Sequence, residues 1–210
     1  MRRLVPAALL LTLLAGCGAA PKKESAVAAP NAAAVGFCQD MSVHHEQAIL
    51  MSQLAITHGT PAIRAIALSI LSSQSQDVGA MRGWLRLWNK PAVDPHPMTW
   101  MMGSSAMSRM PGMSTPATGS SWMPGMATPM EMVKLYQRTG KAFDILFLQL
   151  MIRHHLAGIQ MARAAVAGKA TQPVADGAEQ MVVAEVEDIG LMRAQLAADG
   201  GHELAPATFR

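Results

Sequence analysis

The chain has 210 residues, half of them hydrophobic and only 4% aromatic, with 18 methionines and a formal net charge of +3. That hydrophobic fraction excludes disorder throughout and is enough for one core or two small ones. Few aromatics beside many Ala and Met favour helices packed through small, flexible side chains over a β-sandwich, so the expected fold class is all-α.

The first segment reads as a targeting sequence. Arg2 and Arg3 precede an apolar run over residues 4–14 that is too short for a permanent span, and Leu14-Ala15-Gly16-Cys17 has the form of a bacterial lipobox. The expectation is a lipoprotein signal peptide over residues 1–16, a lipidated Cys17, and a flexible tether over 17–34 rich in Ala, Pro and Lys. The protein would then be anchored on the extracytoplasmic side of a membrane. Loss of residues 1–16 leaves 15 basic against 14 acidic residues, and no basic stripe with interleaved aromatics remains, which speaks against nucleic acid as a partner. With Cys17 acylated, Cys38 is the only free thiol, either a small buried hydrophobe or a soft ligand.

The next element carries "MSVHHEQAILM" at 41–51, and "MIRHHLAGIQM" at 151–161 repeats its spacing. Phe37, Met41, His44, His45, Ile49 and Met51 return as Phe147, Met151, His154, His155, Ile159 and Met161 at an offset of 110. Asp77, Gly79, Met81, Arg82 and Leu85 return as Asp188, Gly190, Met192, Arg193 and Leu196 at 111. The chain is therefore a duplicated helical hairpin with one residue inserted in the second turn. His58-Gly59-Thr60-Pro61 ends one helix and begins the next, with Pro61 in its first turn, and Asn89-Lys90-Pro91 stops it. In the second half Thr128 and Glu131 have capping-box spacing, Thr139-Gly140 interrupts, a main helix covers about 141–167, and a last helix follows the turn 168–173. The first hairpin is placed at 35–90, the second at 130–200 and a tail at 201–210, the hairpins forming one antiparallel four-helix bundle.

Between them, residues 91–129 are crowded with Pro, Gly, Ser and Thr, without apolar periodicity, and are expected to form a largely disordered linker outside any core. Ten of the 18 methionines fall at or just beyond it, and "MPGM" occurs at 110–113 and again at 123–126. Trp100 and Trp122 lie among them, either shielding a soft ion or docking the linker on the bundle.

On a helix Met41, His44, His45 and Met51 fall within an arc of about 120°, with Cys38 beside Met41 and His45, and His58 continuing the stripe of His44 and Met51. Met151, His154, His155 and Met161 repeat this, with Asp144 on the stripe of His155. Thioethers bind Zn²⁺ and Mg²⁺ poorly but Cu(I) well, and imidazole accepts copper in either oxidation state. A single methionine on such a face is ordinary core. Two duplicated His-His pairs are not, because burying them costs desolvation unless something binds them. The expected ligands are Met41, His44, His45, Met51, Met151, His154, His155 and Met161, with Cys38, His58, Asp144, Met110, Met113, Met123 and Met126 as weaker candidates. An ordinary imidazole pKa of about 6.5 would make such sites release metal in mild acid.

"FCQDMSVHHEQAILMSQLA" with "SSQSQDVGAMRGWL", and "FDILFLQLMIRHHLAGIQMARAA" with "VAEVEDIGLMRAQL", resemble the ferritin-like family known as domain of unknown function 305, which includes the CopM-type periplasmic copper-binding proteins. The resemblance implies a ferritin-like four-helix bundle and, through the CopM-type members, Cu(I) and Ag(I) as ligands held by Met and His, for copper sequestration, resistance or transfer to a donor or acceptor protein. It departs from the pattern at Ala34, where an acidic residue like Asp144 is common, which implies a weaker first site. No enzyme is expected: no Glu-x-x-His occurs, and Asp77, Glu185 and Asp188 are few and unevenly divided for a di-iron carboxylate centre. The alternatives are a non-catalytic interaction module or a methionine-based oxidant sink.

Overall fold

The computed structural model describes residues 29–101 and 123–204. Among these the regular structure is helical: α1 (Ala32–His58), α2 (Pro61–Leu87), α3 (Pro129–Tyr136), α4 (Gly140–Ala167) and α5 (Val174–Ala198), with a 3-10 turn at Thr99–Met101. Local chemistry sets the boundaries. Asn31 caps α1 by accepting from the Ala34 amide, Pro61 stands in the first turn of α2, and Thr128 and Glu131 form a reciprocal capping box on α3. Gly140, at φ +58°, opens α4 after the break at Thr139, in the left-handed region where glycine is unstrained.

α1 packs along α2 and α4 along α5, and the two hairpins meet chiefly through α1 and α4. These two run antiparallel. Asn31, before α1, donates from Nδ2 to the Lys169 carbonyl beyond α4 (2.7 Å), and the amide of Thr60, after α1, donates to Asp144 Oδ1 near the start of α4 (3.1 Å). The result is a four-helix bundle with the short α3 laid against one end through the buried Leu135.

The core falls into two hydrophobic clusters. One holds Met51, Met151, Phe143, Phe147 and Leu135 among mostly Leu, Ile and Phe side chains; the other holds Phe37, Cys38, Met41 and Met161. Between them along α1 and α4 lie His44, His45, His154 and His155, each at most 1% exposed.

The expectation of a linker outside any core fails at both of its described ends. Met98, Met101 and Met123 are buried in the second cluster and Met126 packs against it. The segment lacks apolar periodicity because it is not a helix or strand; single side chains of the bundle hold it instead. Asp40 Oδ2 accepts from the Met98 amide (2.7 Å) and Trp100 Nε1 (2.8 Å), and Gln39 Nε2 donates to the Pro91 carbonyl. Trp100 thus docks the linker, its ring edge-on to Phe37 at 6.0 Å. Residues 123–127 form a strap across α1 and α4: Gln47 brackets Ala127 through both of its amide atoms, and Arg153 donates to the carbonyls of Gly125 and Met126.

Candidate metal centre

The histidine layer is assembled by the pseudo-symmetry of the repeat. His44 and His154 meet at the α1–α4 contact with ring centroids 3.7 Å apart. His154 Nε2 lies 3.0 Å from the His44 carbonyl, and His44 Nε2 lies 3.2 Å from the Pro124 carbonyl of the strap. A carbonyl only accepts, so both rings carry their proton on Nε2 and a lone pair on Nδ1. His45 and His155 turn toward the outer helices: His45 Nε2 is 3.6 Å from Asp77 Oδ2 on α2, and His155 Nε2 is 3.5 Å from Asp188 Oδ2 on α5. A carboxylate facing Nε2 favours the same tautomer on His45, whereas His155 Nε2 also faces Gln74 Nε2, a donor, at 3.5 Å, so its two contacts favour opposite tautomers. In all four rings Nδ1 is buried and has no hydrogen-bond partner.

Burial also keeps three of the rings, His44, His45 and His154, neutral. It pushes His44 down to about 3, helped by the charge His45 would carry, and lowers His45 against the opposing pull of Asp77. His154 is held well below the ordinary imidazole value by burial and then by His44. Protons therefore compete weakly for their lone pairs, and the release in mild acid expected from an ordinary imidazole does not apply.

Sequence reasoning misses two groups in this layer as site residues. Gln74 has its amide 3.5 Å from His155 Nε2, and Glu185 is 3% exposed with both carboxylate oxygens unpaired. Burial, then the charges of Asp77 and Asp188, raises the Glu185 pKa well above the ordinary range. Gly158 makes room for it: a Cβ there would lie 2.7 Å from either oxygen. The sequence does carry the signal, since Gln74 and Glu185 stand one turn before Asp77 and Asp188 at the same offset of 111.

The candidate methionines separate. Met41 and Met151 sit one turn before their His-His pairs, adjacent on the helix. Met51 and Met161 stand ten residues from Met41 and Met151, about 15 Å along a helix axis, so no single ion takes both methionines of one helix. Across the bundle Met41 shares its cluster with Met161, and Met51 with Met151. His58 lies at the far end of α1, stacked on Phe143 and bonded to Thr57 and the Leu54 carbonyl. Asp144 is spent on the Thr60 amide at the start of α2, so Ala34 in the corresponding place of the first half alters a helix junction and not the histidine layer. Burial pushes the Cys38 thiol up to about 12, which keeps it protonated as a core side chain. Met123 and Met126 belong to the strap; Cys17, Met110 and Met113 lie outside the described residues.

Among the described residues no three or more His, Cys, Asp or Glu side chains are gathered for an ion. A tetrahedral zinc site is thus not preformed. Pairs of neutral imidazole donors suit instead a soft monovalent ion that accepts few ligands.

A duplicated helical hairpin closed over two buried His-His pairs defines a bundle protein with a histidine centre. The chain belongs to the family described as Domain of unknown function (DUF305), which it matches over residues 34–196. A DUF305 protein of Streptomyces coelicolor described as secreted is 36% identical, with a TM-score of 0.71 over 82% of this chain and 96% of that one. A DUF305 fragment from Deinococcus radiodurans is 27% identical, with a TM-score of 0.65 over 81% and 99%. CopM, in a Cu(I)-bound form, shares the fold at 19% identity, with a TM-score of 0.57 over 79% and 96%, and is also known in Cu(II)-bound and Ag-bound forms. No curated protein matches the chain.

Proposed function

We propose that the protein binds Cu(I) or Ag(I) at the histidine layer, as a non-catalytic, extracytoplasmic lipoprotein that sequesters copper or passes it to a partner. One observation carries the reading: four buried imidazoles in one layer of the bundle each have an Nδ1 with no hydrogen-bond partner. Leaving such atoms unpaired costs about 1–3 kcal/mol each, which a bound ion would recover. The histidines and Met41 and Met151 are the donors, and Asp77 and Asp188 orient His45 and His155. The likeness to CopM, with copper and silver bound, supports the choice of metal. The lipobox at Cys17 and the secreted S. coelicolor relative support an extracytoplasmic place, and no described helix is long and apolar enough to cross a membrane. Burial of Met98, Met101 and Met123 argues against these residues as an oxidant sink.

The test is a silver titration of the wild type and of a His44→Phe/His154→Phe variant under reducing conditions, followed by native mass spectrometry. The variant should lose at least one ion per chain. An unchanged ion count and affinity would make the histidine pairs structural.

A further inference from the structure

The repeat allows the two ends of the bundle to be compared residue by residue, and they differ in sulfur. The cluster around Phe37 holds seven methionines among 17 buried residues, the one around Phe147 only three among 19. Duplication explains Met41, Met81 and Met161, which match Met151, Met192 and Met51 at the other end. It does not explain Met181, whose counterpart is Ile70, or Met98, Met101 and Met123, which the linker brings in.

Methionine is also a good filler of irregular space, so enrichment alone decides nothing. The seating of the linker does. Gln39, which donates to the Pro91 carbonyl, matches Gln149, but four other residues that seat the linker stand where the repeat is broken: Asp40 answers Leu150, Gly36 answers Leu146, Gln47 answers Ala157 and Arg153 answers Val43. A Cβ at Gly36 would lie 2.5 Å from the Trp100 ring, and one at Gly125 would lie 2.4 Å from Ala157 Cβ. Met98 itself takes φ +68°, a left-handed backbone that costs a side-chain-bearing residue about 1–2 kcal/mol, and its side chain is 4% exposed. Covering an apolar bundle end requires none of this; α3 does so at the other end with Leu135.

We propose that this end is a second, histidine-free soft-metal site, taking one Cu(I) or Ag(I) ion on thioethers drawn from Met98 and Met123 of the linker and Met161, Met81 and Met181 of the bundle. Thioether sulfur is neutral, so the ion needs a counter-charge in this buried place. Asp40, 2% exposed and bonded to the Met98 amide, supplies it. The linker is then part of a binding site, and the site is separate from the histidine layer.

The experiment titrates the full chain with Ag(I) and with Cu(I) under reducing conditions, for the wild type, Met98→Leu/Met123→Leu and His44→Phe/His154→Phe. Leucine keeps the apolar volume and removes the donor. The methionine variant should lose one ion per chain, or bind it at least tenfold more weakly, while keeping the ion that the histidine variant loses. X-ray absorption of the copper-saturated wild type should show a sulfur-only environment that the methionine variant lacks. A wild-type ion count and affinity in Met98→Leu/Met123→Leu, or a sulfur-only environment that survives it, would overturn the proposal and leave the histidine centre untouched. Far-ultraviolet helicity recorded with each titration ensures that both variants are compared as folded proteins.

Discussion

His44 and His154 lie ring on ring, 30° from parallel, and the Nε2–H of His154 donates to the backbone carbonyl of His44 itself (3.0 Å). One pair of residues 110 apart thus joins the two hairpins and fixes the tautomer of His154, while the Pro124 carbonyl fixes that of His44. Burial lowers the pKa of His44, His45 and His154. The unfolded chain therefore takes up protons first, near the ordinary value of 6.5. Stability contributed by these groups is present above that pH and is lost as pH falls toward the folded value of about 3 for His44. The limiting slope is about 1.4 kcal/mol per pH unit for each ring. His44→Phe/His154→Phe should flatten the acid side of a metal-free melting-temperature profile. Ag(I) affinity of the wild type should change less than threefold between pH 7 and pH 5; a tenfold fall over that interval would show that the rings titrate normally.

Glu185 makes the opposite contribution. Its folded pKa is raised, so the stability it allows is fully present below the unfolded value of about 4.5 and declines as pH rises from there. Glu185→Gln, which restores the side chain found at the matching position Gln74, should stabilise the metal-free bundle by about 1–3 kcal/mol near neutral pH and by little at pH 4. Chemical denaturation at the two pH values measures this.

Much of this is legible in the sequence because the fold is written twice. The hairpin boundaries at His58-Gly59-Thr60-Pro61 and the break at Thr139-Gly140 follow from glycine and proline chemistry, and the 110-residue offset places His44 with His154. The helical stripe does not reveal that Met41 shares a core cluster with Met161, because a projection of one helix says nothing of its antiparallel neighbour. Asp144 misleads for the same reason: its partner is a backbone amide 84 residues away. The linker ends are illegible since they dock through isolated contacts such as Asp40 to Trp100, which leave no period to read.

Gly125 should not tolerate a side chain. At φ +77° it is in the left-handed region, and the carbonyl of Arg153 stands 2.8 Å from where a Cβ would be. Gly125→Ala should cost about 1–3 kcal/mol by lifting the strap from His44. Gly79, exposed within α2 with nothing within 4 Å of the place a Cβ would take, provides the contrast: Gly79→Ala should stabilise by about 0.5–1 kcal/mol. Thermal denaturation of both variants decides, and equal effects would mean the strap contributes nothing to the fold.

The strap is fastened at its far end by Arg153, whose Nη1 and Nη2 reach the two oxygens of Glu131 at 2.8 and 2.7 Å. Hydrogen bonds from Arg153 are the main reason the Glu131 pKa falls to about 2. A depressed carboxylate pKa gives stability that is present above the unfolded value of 4.5 and is lost as pH falls toward 2. Glu131→Gln keeps the capping-box partner of Thr128, since glutamine serves there too, and removes only the charge facing Arg153. Because the pair is partly solvated, the loss at pH 7 should be about 1 kcal/mol. The difference in melting temperature between wild type and variant should shrink as the pH is lowered from 5 to 3. A difference that stays constant over this range would show that the ion pair does not hold the strap, and that Gln47 and Gly125 do so alone.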